Sequence, residues 1–142
     1  MTLRLHDRPE VVIDASVVIA LLVDESEVGE WATSSLAGVR LLAPDLMPYE
    51  VTNTLRRHVF RGMIDISTAV SAHLDLTESS FELYPYSSLA ERIWELRENL
   101  TSYDAAYVAL AELMNAPLIT LDSRIGRATG PHCRIITFPE VI

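Results

Sequence analysis

Five short runs rich in apolar and β-branched residues recur along the chain, and helical patterns lie between most of them. The runs are residues 11–14, 39–43, 81–84, 118–121 and 134–138. Each run is bounded by Pro, Asp, Gly or Ser, which is typical of strands. Between the runs, apolar residues recur at helical spacing, as Met47, Val51, Leu55 and Val59 do. Strands that alternate with helices predict an α/β domain, a three-layer α/β/α sandwich around a central, mainly parallel sheet.

Length and composition fit one folded domain over residues 1–142. Of the 142 residues 49% are hydrophobic, and glycine and proline are few, which favours a globule over a disordered chain. Residues 1–10 precede the first predicted strand and form an N-terminal extension without an assigned role. They lack the apolar core of a signal peptide, and the apolar run at 11–23 is too short and too acidic to cross a bilayer. A cytoplasmic protein without a membrane contact is expected.

The charge balance excludes several classes of function. The net charge is −9, which disfavours broad electrostatic binding to nucleic acid but leaves room for a local basic patch. All 11 basic residues are arginine, so mechanisms that need a lysine, including the P-loop, are excluded. Cys133 is the single cysteine, which rules out an internal disulfide.

One carboxylate, Asp14, interrupts the most hydrophobic stretch, VVIDASVVIALLV. An isolated buried carboxylate costs several kcal/mol or more, so Asp14 must lie at an exposed edge or be held by a partner such as a helix terminus or a metal. Three more acids lie at the ends of strands or the starts of helices: Glu50, Asp104 and Asp122. Each has a purely structural alternative, because Asp14 and Asp122 suit helix N-caps, Asp104 a capping box with Thr101, and Glu50 a favourable helix dipole.

Taken together, the four acids favour a metal site. In open α/β sheets, ligands bind beyond the carboxyl ends of the strands, where loops lead into helices. Four carboxylates in one cleft repel each other, and a hard divalent cation such as Mg²⁺ offsets that repulsion through oxygen ligands.

The stretches VVIDASVVIALL, PDLMPYEVTNTL, TSYDAAYVALAE and PLITLDSRI resemble the ordered acidic motifs of PIN domains, above all those of VapC-type toxins from toxin–antitoxin pairs. The resemblance covers roughly residues 11–138. It implies a metal-dependent endoribonuclease that acts on RNA, a cognate antitoxin that neutralises it, and a homodimer. The implied cofactor is Mg²⁺, with Mn²⁺ as a substitute. The family's metal-binding and catalytic acids would fall on Asp14, Glu50, Asp104 and Asp122, with Ser16 and Thr120 in support.

One departure qualifies this resemblance, and one alternative stays open. Many relatives carry a further acid after the last motif, whereas Ser123 and Arg124 follow Asp122 here, so a second tightly held metal is not expected. A dehalogenase-type phosphatase would need a second Asp at the position of Ser16, and a receiver domain would need a lysine. A catalytically silent PIN-like binding module remains as the alternative, and the retention of all four acids speaks against it.

Arg57 and Arg61 are candidate RNA-binding residues, because they continue the face of the Glu50 helix, with a solvated helix face as the equal alternative. An acidic pocket also accepts a guanidinium well, so the antitoxin is expected to block it partly with a basic side chain.

The large aromatic residues are expected mainly in packing roles. This holds for Tyr107 at helical spacing, and for Trp31, Trp94 and Phe60. Tyr103 could stack on an RNA base, and Trp31 could anchor a partner protein.

Overall fold

A computed structural model describes residues 7–140, so residues 1–6 of the predicted N-terminal extension lie outside the described part. The last residue of that extension, Glu10, already belongs to the first strand. The strands are β1 (Glu10–Ile13), β2 (Arg40–Pro44), β3 (Glu82–Tyr84), β4 (Leu118–Ile119) and β5 (Ile135–Ile136). The helices are α1 (Ala15–Val23), α2 (Glu27–Ser35), α3 (Met47–Phe60), α4 (Ile66–Glu78), α5 (Ala90–Glu95), α6 (Ser102–Met114) and α7 (Ser123–Arg127), with a 3₁₀ turn at Tyr86–Ser88.

All five strands pair in parallel, in the order β3-β2-β1-β4-β5. At the centre of the sheet, Val12 of β1 lies between Leu42 of β2 and Leu118 of β4. The predicted α/β fold with a parallel central sheet is confirmed.

The strand order also explains the layers. From β1 the chain moves outward to β2 and β3, and it then returns past β1 to β4 and β5. Because crossovers between parallel strands are right-handed, reversing the direction of travel puts the later helices on the opposite face of the sheet. Helices α1 to α4 pack together on one face, while α5 packs on α6 and α6 covers β1 and β2. The reversal point lies between β1 and β4, where open α/β sheets form a crevice at the carboxyl ends of the strands.

The core is continuous from the sheet into both helical layers. Val12, Ile13 and Leu42 are fully buried in the strands, and residues 105–111 of α6 are buried without interruption. Four of those seven residues are alanine, which lets the backbone of α6 approach the sheet closely.

The structure corrects some predicted boundaries and packing roles. Strands β4 and β5 span two residues each, although the amide of Thr120 still donates to the carbonyl oxygen of Ile136 at 3.0 Å. The prediction that Trp94 and Phe60 pack in the core was wrong, because they are 68% and 77% exposed. The core-facing residue of α5 is Ile93, so the adjacent Trp94 faces away. Tyr107 is buried, as predicted.

Trp31, predicted to pack and considered also as a partner anchor, contacts its own chain. Its indole Nε1 donates to the carbonyl oxygen of Glu140 at 2.7 Å, and its ring packs edge-on against Phe138 with 5.8 Å between centroids. The indole N–H is therefore already used within the chain. Separately, no helix within residues 7–140 has the length and apolar content needed to cross a bilayer.

Candidate active site

The crevice at the reversal point of the sheet is flanked by two aspartates that end neighbouring strands. Asp14 follows β1 and precedes α1, and Asp122 follows the β4 segment and precedes α7. Glu50 lies in the first turn of α3, and Asp104 lies in the first turn of α6. The raised pKa of Asp104 has contributions from the charges of Asp14 and Asp122, and that of Glu50 from Asp14 and Asp104. Charge interactions therefore connect Glu50 and Asp104 with each other and with Asp14, and they connect Asp104 with Asp122.

The carboxylate of Asp14 is held by two hydroxyl groups and does not cap α1, although Asp14 stands at the N-cap position of that helix. Ser16 Oγ and Thr120 Oγ1 donate to its Oδ2 at 2.6 Å and 2.9 Å, and its side chain makes no capping hydrogen bond to α1. The carboxylate is almost buried, with 8% of the residue exposed. Within residues 7–140, no group donates a hydrogen bond to Asp14 Oδ1. Every fully buried side-chain oxygen in these residues has a hydrogen-bond partner, so Oδ1 is not fully buried. Oδ1 is therefore the oxygen that solvent or a ligand can reach.

The direction of these hydrogen bonds is fixed by the backbone. The amide of Leu121 donates to Ser16 Oγ at 3.1 Å, and the amide of Asp122 donates to Thr120 Oγ1 at 3.0 Å. Since an amide can only donate, each hydroxyl oxygen accepts there and turns its own proton toward Asp14. The network binds the β1–α1 turn to the β4–α7 turn and presents Asp14 as an acceptor.

Glu50 is attached to the core through a tyrosine. The hydroxyl of buried Tyr107 donates to Glu50 Oε1 at 2.6 Å, which links α3 to α6. Burial is the largest cause of the raised pKa of Glu50, and the hydrogen bond from Tyr107 counteracts it. The pKa of the Tyr107 phenol is itself raised strongly by burial and by the bond to Glu50, so the phenol remains a hydrogen-bond donor.

Asp104 is placed by a helix cap. Thr101 caps α6 by accepting from the amide of Asp104 at 3.2 Å. This is half of the capping box considered as the structural alternative, and the Thr101 side chain also favours the charged form of the Asp104 carboxyl. Burial, followed by the charges of Asp14 and Asp122, raises the pKa of that carboxyl.

Asp122 has the structural role that Asp14 lacks. Its Oδ1 accepts from the amide of Arg124 at 2.9 Å and caps α7. The Arg124 guanidinium also donates two hydrogen bonds to the carboxylate, from Nε to Oδ1 at 3.0 Å and from Nη2 to Oδ2 at 2.7 Å. This pairing is the main reason why the pKa of Asp122 is lowered. The Arg124 side chain is 80% exposed, so it can leave without disturbing the core.

The donor set fits a hard divalent cation. The side chains that meet here offer carboxylate and hydroxyl oxygens, the ligands that Mg²⁺ and similar ions prefer. Within residues 7–140, no three acidic, His or Cys side chains are already gathered in a ligating arrangement. Asp122 is paired with Arg124, and Glu50 accepts a hydrogen bond from Tyr107.

The predicted RNA-binding arginines lie apart from these contacts. Arg57 and Arg61 are exposed at the end of α3, and Arg57 Nη2 contacts Thr54 Oγ1 at 3.3 Å. Neither forms an ion pair with an acid within residues 7–140.

Sequence reasoning missed two partners of the acids, Tyr107 and Arg124. The spacing of three residues between Asp104 and Tyr107 puts both on one side of α6, and this was a usable signal. An arginine two residues after an N-capping aspartate was a second signal, because the cap turns both side chains toward the same helix end.

Comparison with known sequences and structures gives a consistent result. The PIN domain family model matches residues 11–131. Ribonuclease VapC9 from Mycobacterium tuberculosis is 36% identical over 130 residues, which are 92% of this chain and 99% of that protein. The crystal structure of PAE2754 from Pyrobaculum aerophilum has a TM-score of 0.64 at 29% identity, covering 89% of this chain and 83% of that one.

A toxin–antitoxin complex from Klebsiella pneumoniae contains a chain with a TM-score of 0.60 at 21% identity, covering 93% of this chain and 99% of that one. That likeness concerns the fold alone. The family match, the VapC9 identity and the parallel sheet with four acids at its crevice agree. The chain belongs to the PIN-domain family and, within it, to the VapC ribonucleases.

Proposed function

We propose that this chain is a metal-dependent endoribonuclease toxin that hydrolyses RNA phosphodiester bonds with water. One observation carries the proposal: Asp14, Glu50, Asp104 and Asp122 lie at the strand ends and helix starts that border the crevice of a VapC-family fold. The charges of neighbouring acids in this set contribute to the raised pKa values of Glu50 and Asp104. Groups with perturbed pKa values in a cleft are typical of functional sites.

The cofactor in this proposal is Mg²⁺, with Mn²⁺ as a substitute, held by Asp14, Asp104 and Asp122 with Glu50 as a further ligand. When bound, such an ion supplies an activated water and neutralises charge on the leaving oxygen. Asp14 contributes Oδ1, since Ser16 and Thr120 occupy Oδ2. Asp122 becomes available when Arg124 turns away.

The other side chains position the attacking water or neutralise the charge of the phosphate. Tyr107 holds one oxygen of Glu50 and leaves the other to orient the attacking water. Arg124, once released from Asp122, carries a planar donor fork that suits a phosphate. We assign phosphate contacts along α3 to Arg57 and Arg61, the exposed guanidiniums that follow Glu50 on that helix.

The test is cleavage of single-stranded RNA by purified protein. Cleavage should stop in EDTA and return with Mg²⁺ or Mn²⁺, whereas full cleavage in EDTA would contradict the metal site. Asp75→Asn should cleave as the wild type does, because Asp75 is an exposed acid on α4 away from the crevice; it is the control for the Asp→Asn variants of the crevice. If the wild type cleaves nothing under any metal condition, the silent binding module is the better reading.

We further propose that a cognate antitoxin neutralises the enzyme in the cytoplasm, partly by placing a basic side chain in the crevice. The ion pair between Arg124 and Asp122 supports binding of a basic side chain in the crevice, since this carboxylate already accepts hydrogen bonds from a guanidinium. Replacing every Arg and Lys in the toxin-binding segment of the antitoxin should relieve inhibition. Inhibition that survives the change would leave steric occlusion as the mechanism.

We also propose a homodimer. Ile66, Val70 and Leu74 are more than half exposed and recur every four residues along α4, so they form one apolar stripe. Contiguous exposed apolar surface of this kind marks protein contacts. Light scattering on the isolated protein should give twice the mass of one chain.

A further inference from the structure

A second cavity lies beside the acidic crevice and is lined by aromatic rings. It encloses about 410 Å³ between the starts of α3 and α6 and the carboxyl ends of β2 and β3. Four tyrosines line it: Tyr49, Tyr84, Tyr86 and Tyr103. We refer to it as the tyrosine cavity.

Its position follows from the sequence around two of the acids. Tyr49 directly precedes Glu50 on α3, and Tyr103 directly precedes Asp104 on α6. The hydrogen bond of 2.6 Å from the Tyr107 hydroxyl to Glu50 Oε1 joins the first turn of α3 to α6, so these two helices are in contact next to the acids. The tyrosine cavity therefore opens next to the carboxylates.

The rings are placed for contact with a ligand and not for packing. Tyr49, Tyr86 and Tyr103 are 80%, 68% and 65% exposed, whereas Leu89 and Ile93 form the buried apolar floor beneath them. Three large exposed aromatic residues around one cavity form an apolar patch of the kind that marks binding sites.

Charge indicates what could occupy the cavity. Among residues 7–140, no arginine or histidine lines it, and the one charged lining residue is Asp45. A phosphate would be repelled there, whereas the aromatic walls suit a flat group that carries no negative charge. The Asp45 carboxylate and the Ser102 hydroxyl provide polar atoms at the wall, and a carboxylate accepts from an exocyclic amino group.

We propose that the tyrosine cavity binds an unpaired nucleobase of the RNA next to the bond that is cleaved, stacked on Tyr49 or Tyr103. The inference rests on the proposed endoribonuclease function and adds a base-binding subsite to it. Unpaired bases in RNA stack on aromatic side chains, and such stacking is tolerant of sequence because every base has a π face.

The test measures binding of two labelled single-stranded probes in EDTA, where no cleavage occurs. One is an oligoadenylate hexamer, since adenine carries an amino group for Asp45, and the other is an abasic ribose–phosphate hexamer of equal charge. Repulsion by the carboxylates affects both probes alike. The wild type should bind the adenine probe about 5- to 150-fold more tightly.

Variants then assign that preference to the rings. Tyr49→Leu and Tyr103→Leu should lose most of it, and Tyr49→Phe and Tyr103→Phe should keep it because the ring remains. Phe60→Leu is the control, an exposed aromatic residue outside the cavity. Both tyrosines are largely exposed, so these variants are expected to fold.

Equal or undetectable binding of both probes by the wild type would overturn the proposal, and so would leucine variants that keep the full preference. If those variants instead weaken only the complex with the antitoxin, the cavity belongs to a protein partner and the inference is wrong. A separate cleavage assay distinguishes failure of the subsite from failure of the nuclease function. A wild type that cleaves RNA but does not prefer the adenine probe refutes the subsite alone.

Discussion

Asp14 and Asp122 occupy equivalent places, each at the end of a strand and the start of a helix, yet they are held in opposite ways. The Asp14 side chain makes no capping hydrogen bond to α1, meets no arginine within residues 7–140 and accepts from two hydroxyl groups inside the protein. Asp122 caps α7 and is paired with an exposed guanidinium. Position in the fold therefore does not determine the role of a strand-end aspartate, and its hydrogen-bond partners do.

The largest expected effect comes from Asp14→Asn, which should abolish most RNA cleavage. The hydroxyl protons of Ser16 and Thr120 need an acceptor, so the amide oxygen turns toward them and the NH₂ group takes the place of Oδ1. A donor then faces the cation. The loss should exceed the roughly 10- to 100-fold typical of removing a residue that supports a metal ligand.

Asp122→Asn sharpens the contrast, because asparagine caps a helix about as well as aspartate. Cleavage should again fall by orders of magnitude, while α7 stays folded. Melting with and without Mg²⁺ checks both variants, because the metal-induced rise in melting temperature should shrink in each. The metal-free Asp14→Asn protein should be no less stable than the wild type, whereas metal-free Asp122→Asn also loses the pair with Arg124 and should be slightly less stable near neutral pH. A variant that keeps full activity and the wild-type metal response would return that aspartate to a structural role.

A smaller effect is expected for Thr120→Val, because the Thr120 hydroxyl forms hydrogen bonds with both the Asp14 carboxylate and the Asp122 amide. The buried hydroxyl donates to Asp14 and accepts from the amide of Asp122. Its loss should reduce cleavage or metal affinity about 10- to 100-fold and lower the free energy of unfolding by about 1–3 kcal/mol. Thr120→Ser keeps the hydroxyl and should restore most of the activity; equal damage by both variants would mean that packing of the methyl group matters more than the hydrogen bonds.

The smallest effect is expected for Arg124→Gln. Arg124 lowers the pKa of Asp122, so the pair adds stability above the ordinary carboxyl pKa and loses it as the pH falls through the lowered folded value. The variant should therefore be slightly less stable than the wild type near neutral pH and equal to it in acid. Its melting temperature should also rise more with Mg²⁺, since the competing cation is gone.

Melting curves across this pH range, with Arg97→Gln as the exposed control, check the expectation. A variant whose metal response is unchanged would show that Arg124 does not compete for Asp122.

The sequence predicted the architecture and the four acids better than it predicted their partners. Periodicity identified the strands and the helices that carry Glu50 and Asp104, because apolar spacing reports directly on burial. It could not distinguish Asp14 from Asp122, since whether an aspartate caps a helix depends on side-chain direction. The contact between Tyr107 and Glu50 joins residues 57 positions apart, which no local pattern encodes. The exposure of Trp94 was missed because hydrophobicity alone does not say which side of a short helix is buried.

The hydrogen bond from Thr120 to Asp14 also has a consequence for synthesis, because 106 positions separate the two residues. At ribosomal rates of roughly 5–20 residues per second, translation needs about 5–20 s to pass from one to the other. During that interval a nascent chain already carries the sequence of α1 to α4 but has no β4 beside β1. Catalytic competence is thus among the last properties that the growing chain acquires, and a partner that recognises the early helices meets an incomplete enzyme before an active one exists.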